Sequence, residues 1–192
     1  MLLPDKNAIV YGAAGPVGAA VAAAFAREGA RVVLAGRTQP TLARVADQIR
    51  DAGGAARVAV VDVTDMAAMR VHAAEVAAAS EGIDILAMAG GREAIPRLGG
   101  SHVAWSALAG LSRQLAAELG PHGIRVAWLL SPGSPDPGAA PSGDDDPLAG
   151  GALIGRRPSY QEVANAAVFA ASDWAATMTA AEINLTGGAV ID

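Results

Sequence analysis

The sequence predicts an α/β chain, with one doubly wound parallel sheet of about six strands and helices on both faces. Three observations predict it. Short apolar runs alternate with longer helical patterns from the N-terminus onward. The runs are apolar throughout rather than at every second residue, as in parallel strands buried on both faces. The first run leads into three glycines, Gly12, Gly15 and Gly18, spaced G-x-x-G-x-x-G at the start of a small-residue helix pattern.

In order, Asn7 to Tyr11 reads as the first strand and Val17 to Glu28 as a helix stopped by Gly29. Arg31 to Ala35 is a second strand, ended by Gly36. Thr41 to Ala52 is a helix with Leu42, Val45, Ala46 and Ile49 on one face. Arg57 to Val61 is a third strand, Met66 to Ser80 a helix with Met69 and Val76 inward, and Asp84 to Ala89 a fourth strand. Right-handed crossovers turn this alternation into a doubly wound sheet. Val103 to Leu119 is a helix with Leu108, Leu111, Leu115 and Leu119 as its core stripe, and Ser101 is expected as its N-cap. Ile124 to Leu130 is a strand. Ser159 with Glu162 forms a capping box for the next helix, and Ile183 to Leu185 is the last strand, before the Gly187-Gly188 turn. The whole, residues 1–192, reads as one domain.

Each glycine after the first strand has its own expected task. Gly12 permits a turn that a Cβ would block. Gly15 lets the backbone approach a ligand, and Gly18 lets the helix pack closely. The helix N-terminus then offers free N–H groups and partial positive charge to a pyrophosphate. Pro16 suits the first helical turn but removes one donor. A plain strand-to-helix turn uses glycines too, so the trio alone does not decide the matter.

Composition excludes several classes. Hydrophobic residues make up 52%, too many for a disordered chain, and aromatics only 4%, so Ala, Val, Leu and Ile must build the core. A net charge of −5 argues against a nucleic-acid surface. With no Cys, disulfides, thiolate catalysis and Cys-type zinc sites are ruled out. Met1 to Lys6 does not read as a signal peptide, and no apolar run approaches the ~20 residues of a membrane helix. A cytoplasmic location is the expectation.

Tyr11 to Gly18, Val33-Leu34-Ala35-Gly36-Arg37 and Val61-Asp62-Val63-Thr64-Asp65 together resemble the short-chain dehydrogenase/reductase family, which has a Rossmann-like fold. The resemblance continues through Leu115 to Val126, Ser131-Pro132-Gly133, Ser159 to Asp173 and Asn184 to Gly188. It implies an oxidoreductase-like protein that binds a nicotinamide dinucleotide through Gly12, Gly15, Val17, Gly18, Arg37, Asp62, Val63 and Gly90. An acid after the second strand favours NAD. Here the pair is Gly36-Arg37, and a guanidinium suits a 2′-phosphate, which points to NADP with NAD as the alternative. Arg37 also reads as a solvated strand-end residue, and Asp62 either meets the adenine or caps the turn before the next helix.

Two departures bear on activity. The family's Asn-Asn-Ala-Gly is replaced by Met88-Ala89-Gly90-Gly91. Its Tyr-x-x-x-Lys pair falls on Ser101 and Trp105, and no such pair occurs anywhere: the one lysine is Lys6 and the tyrosines are Tyr11 and Tyr160. The stretch from Gly91 to Ser101 is also too short for the family's helix and strand, which implies an internal deletion of one α-β unit. Strand 124–130 is then expected beside 83–88, and the bared face is expected to reshape a homo-oligomer interface. No catalytic residue is assigned. His102, close to the vacant position, reads either as a proton donor or as a surface residue, His122 as structural and His72 as solvated. Residues 134–151 read as a flexible lid-like loop or a plain surface loop, with Asp144 to Asp146 facing solvent. A nucleotide-binding protein without catalysis, or a non-redox enzyme using the same cleft, stand as alternatives to an atypical oxidoreductase.

Overall fold

The computed structural model describes residues 1–62, 64–80, 82–88, 99–131 and 152–189. Val63, Gly90, the Pro132-Gly133 step and the lid-like segment 134–151 lie outside the described residues. The chain divides into two compact units, Met1–Gly90 with Ala171–Asp173 and Gly91–Ala170 with Trp174–Asp192.

The first unit alternates strictly: β1 (Asn7–Tyr11), α1 (Pro16–Arg27), β2 (Arg31–Gly36), α2 (Gln39–Asp51), β3 (Ala55–Val60), α3 (Met66–Ala79) and β4 (Ile85–Met88). The strands form a parallel sheet in the order β3-β2-β1-β4. Tyr11 stands opposite Ala35 on one side and Met88 on the other. The chain steps outward from β1 to β3, then returns to the far side of β1. The strand order therefore reverses at β1, and in such sheets ligands bind beyond the carboxyl ends of the strands at that point. The glycine turn leaves β1 there.

Apolar strands hold this sheet from both sides. Leu42, Val45, Ala46 and Ile49 are all buried along α2, as their spacing requires. Ile9, Tyr11, Val33, Ala35, Val61 and Val76 make a second cluster, against which Ala68 and Met69 of α3 pack. Alternate strand residues thus serve opposite faces, which is why these strands read as unbroken apolar runs. Asp65 caps α3, accepting from Ala67 and Ala68 N–H through Oδ1 at 2.9 and 3.0 Å.

The second unit contains α4 (Gly99–Leu119), β5 (Ala127–Leu130), α5 (Tyr160–Ala171) and β6 (Ala181–Asn184). β5 and β6 pair in parallel, Ala127 with Ala181 through Leu130 with Asn184. The capping box forms as its spacing predicts: Glu162 N–H donates to Ser159 Oγ at 3.2 Å, and Ser159 N–H donates to Glu162 Oε2 at 2.8 Å. Arg156 clasps the same carboxylate with two N–H groups, at 2.8 and 2.6 Å. This pulls the Glu162 pKa down to about 2.

Three sequence expectations need correction. α4 begins at Gly99, so Ser101 is its third residue and not its N-cap. Leu111 is 52% exposed, while Ala116 is buried. Leu115 and Leu119 are half-buried, so along 109–119 the inward face includes Ala116 with these two and leaves out Leu111. The strand expected from Ile124 starts at Ala127, after Gly123 takes a left-handed φ of 75° and closes the preceding turn. Six strands are present among the described residues. Their ladders are the four-stranded sheet of the first unit and the β5–β6 pair of the second.

Candidate nucleotide site

The three glycines of the turn are needed for three different reasons. Gly12 has φ +76°, a conformation costly for any residue with a Cβ. There its N–H reaches across to Ala35 O at 2.9 Å, tying the turn to β2. Gly18 is required by contact: a Cβ there would overlap Gly12 O, and would lie 2.8 Å from Gly12 C and 2.9 Å from Ala13 Cα. The helix packs onto the turn itself, one step closer than packing on the strand would demand. Gly15 is required by neither. Its φ is an ordinary −80°, and the nearest protein atom to an added Cβ is Gly12 O at 3.4 Å.

Gly15 is the N-cap of α1 and Pro16 its first residue. The first N–H to find a helical acceptor is that of Ala19, on Gly15 O at 2.8 Å. Val17 and Gly18 thus present the donors that every helix start leaves open. No side chain caps this end.

Arg37 follows β2 directly and is exposed. Asp62 follows the neighbouring strand, β3. Asp62 Oδ1 accepts from Thr64 N–H at 3.0 Å and from Thr64 Oγ1 at 2.8 Å, forming the turn that leads into α3. These bonds, with the Arg37 charge adding to them, hold its carboxyl below the usual carboxylate range. Thus the turn-capping alternative for Asp62 is realised at one oxygen. The turn, Arg37 and Asp62 all stand at the carboxyl edge of one sheet.

A further pair lies beneath the turn. The Tyr11 hydroxyl is 3.0 Å from His72 Nδ1, and the rings meet edge to face at 77°. His72 is only 8% exposed, which corrects its reading as a solvated residue. Burial pushes its imidazole below the ordinary value, opposed by Glu75 and helped by Arg57. It pushes the Tyr11 phenol up. The pair was missed because 61 positions separate its members and because α3 is so rich in alanine that no polar face stands out.

An open cleft of about 590 Å³ lies at the opposite end of the strands, lined by Asn7, Arg31, Arg57 and Ser80 among others. Arg31 there is committed to Asp5 and Asn7, and Arg57 to Ser80. We assign it no ligand.

Residues 6–105 match the family described as short chain dehydrogenase. The chain belongs to that family. Residues 86–190 also match the family described as enoyl-(acyl carrier protein) reductase. It is 30% identical to the D-threitol dehydrogenase of Mycolicibacterium smegmatis over 249 aligned positions, covering 98% of this chain and 94% of that one. The alignment is longer than the chain, so the relative has internal residues that this family member lacks. Seven other curated relatives are matched over only 23–31% of their own length. A dehydrogenase/reductase from Sinorhizobium meliloti superposes with a TM-score of 0.87 at 23% identity, covering 98% of this chain and 96% of that one. Actinorhodin polyketide ketoreductase, in a structure with NADPH, gives 0.84 at 18% identity, covering 96% and 97%. Together they show the Rossmann-like fold.

The single lysine precedes β1 and pairs with Asp84 at 3.6 Å. It lies at the amino edge of the sheet, about 16 Å from the turn across five strand residues. The Tyr11 hydroxyl is occupied by His72. Ser101, His102, Trp105 and Ser106 all fall within α4. Among the described residues no group of three or more His, Cys, Asp or Glu could hold a metal, and no helix is long and apolar enough to cross a membrane.

Proposed function

We propose that this chain binds NADP(H) at the carboxyl edge of its first unit and lacks the usual proton relay of its family. One observation carries the reading: Gly15 is a glycine that the protein itself does not need, next to two open N–H donors. A diphosphate seated on α1 would need that space and those donors. Val17 and Gly18 would hold the diphosphate, Arg37 the 2′-phosphate and Asp62 the adenine. Val63 and Gly90 complete the set by family resemblance. An NADPH-bound family neighbour of the same fold supports the choice of cofactor. When bound, the nicotinamide would supply hydride chemistry. This chain's own residues would orient it through the turn.

Isothermal titration with NADPH and NADH tests the reading. Tighter binding of NADPH is expected, and no heat with either ends the idea. Ordinary carbonyl reduction is expected to be weak or absent, because proton transfer by a positioned acid contributes roughly 10²–10⁴-fold and no tyrosine–lysine pair is present to supply it. Steady reduction of small ketones at rates usual for such enzymes would overturn that part. A nucleotide-binding protein without catalysis is the second reading, favoured by the placement of Lys6 and by the occupied Tyr11 hydroxyl. The single domain over residues 1–192, a cytoplasmic location and a homo-oligomer belong to the same proposal, and exposed Leu153, Ile154 and Trp174 support the last of these.

A further inference from the structure

Tyr11 is the last residue of β1, and its main chain runs directly into Gly12. Its ring is fixed in the cluster of Ile9, Val33, Ala35, Val61 and Val76, beneath α3. The hydroxyl finds its partner only in His72 among the described residues. A Phe–Leu pair would fill the same space without having to satisfy two buried polar groups. The polar pair does what an apolar pair would not: it locks α3 to the root of the glycine turn through one directional bond. The start of α3 also holds the Asp62–Thr64 turn, so the helix touches both ends of the nucleotide edge.

We infer that the Tyr11–His72 pair positions the nucleotide turn only while the imidazole is uncharged, and so weakens cofactor binding in mildly acidic solution. The inference rests on the cofactor reading above. We assign the neutral ring its proton on Nε2, so that Nδ1 accepts the phenolic proton. A second proton on Nδ1 reverses that bond, so that the phenolic oxygen accepts and its own proton loses its acceptor, and it places a charge among apolar side chains. Water solvates the imidazolium better than this partly closed site does, so the charge favours a shift of α3 away from β1. The groups facing it are Tyr11 from β1, Arg57 from β3 and Glu75 from α3 itself; Arg57 resists the charge and Glu75 favours it. His72 is thus a positioning residue, with no contact to the nucleotide.

The test is NADP⁺ titration of the full chain at pH 7.5, 6.5 and 5.5, comparing the wild type with His72→Asn. Asn places an oxygen near the Nδ1 position and does not titrate. The 2′-phosphate of the ligand titrates with a pKa of about 6 in every sample, so the difference between proteins is the readout. The wild type should lose about tenfold more affinity than His72→Asn between pH 7.5 and 5.5, one tenfold step per pKa unit of coupling. His72→Gln, which likewise does not titrate, should also flatten the extra slope and serves if His72→Asn does not fold. Parallel profiles for the wild type and either folded variant overturn this inference and leave the cofactor reading standing. Absence of binding by the wild type at pH 7.5 overturns both.

Discussion

The α carbon of Gly18 faces the backbone of Gly12 so closely that no side chain fits between them: an added Cβ would come within 2.8 Å of Gly12 C. Helix α1 thereby rests on the turn that precedes it, and its open N–H groups point where that turn points. Three residues away, Gly15 has room on the protein side. One turn thus contains a glycine that the fold needs and another that it does not.

Substituting each separates the two roles. Gly18→Ala should destabilise the chain by about 3 kcal/mol, since backbone rather than a flexible side chain must yield. Gly15→Ala should change stability by less than about 1 kcal/mol, roughly 3 °C in melting temperature. It should nevertheless weaken NADPH at least about tenfold, because the new methyl occupies the approach of the diphosphate. Thermal melts and titrations on both variants check this, and a Gly15→Ala protein that binds normally would remove the main support for the site.

The proposed role of Arg37 predicts a choice between the two nicotinamide dinucleotides. Arg37→Asp removes a charge-assisted bond to the 2′-phosphate and places a like charge near Asp62. NADPH binding should fall at least about tenfold while NADH changes little. Equal losses for both cofactors would dismiss the 2′-phosphate role.

Acid should loosen the first unit. His72 has a folded pKa below its unfolded value of 6.5, so the unfolded chain binds more protons once the pH drops under that value. Its contribution is full above pH 6.5 and is lost as the pH falls through the folded pKa. Melting temperature should therefore decline below pH 6.5 in the wild type, and decline less steeply in His72→Asn.

Glu162 acts at lower pH with the same sign of slope. Its carboxylate, held to about 2, contributes stability above its ordinary 4.5 and loses it as the pH falls toward 2. Exposure of both ion-pair partners, 51% and 44%, keeps the value modest. Glu162→Gln should cost at most about 1 kcal/mol at pH 7, through the lost charge facing Arg156 because the amide oxygen still accepts from Ser159 N–H, and close to nothing at pH 2. Urea unfolding at the two pH values measures the difference.

Local chemistry made much of this structure legible. β1 has the limits that its apolar run predicts, α2 buries the four residues its spacing selects, and Ser159 with Glu162 closes a box written in four consecutive positions. Errors came where the sequence has little contrast. In α4, alanines and leucines alternate so freely that spacing does not separate exposed Leu111 from half-buried Leu115 and Leu119. In α3, His72 sits among alanines and charged residues, and no periodicity marks it as buried.

The sequence by itself determined the strand–turn–helix order, the glycine turn and the absence of any tyrosine–lysine pair, because each is a matter of residues adjacent or nearly so. Only the tertiary structure decided that Gly15 is spare where Gly18 is not, and that Tyr11 meets His72. Those are contacts through space, between groups the chain brings together only after the sheet has formed, and no local spacing records which atoms will then lie a few ångströms apart.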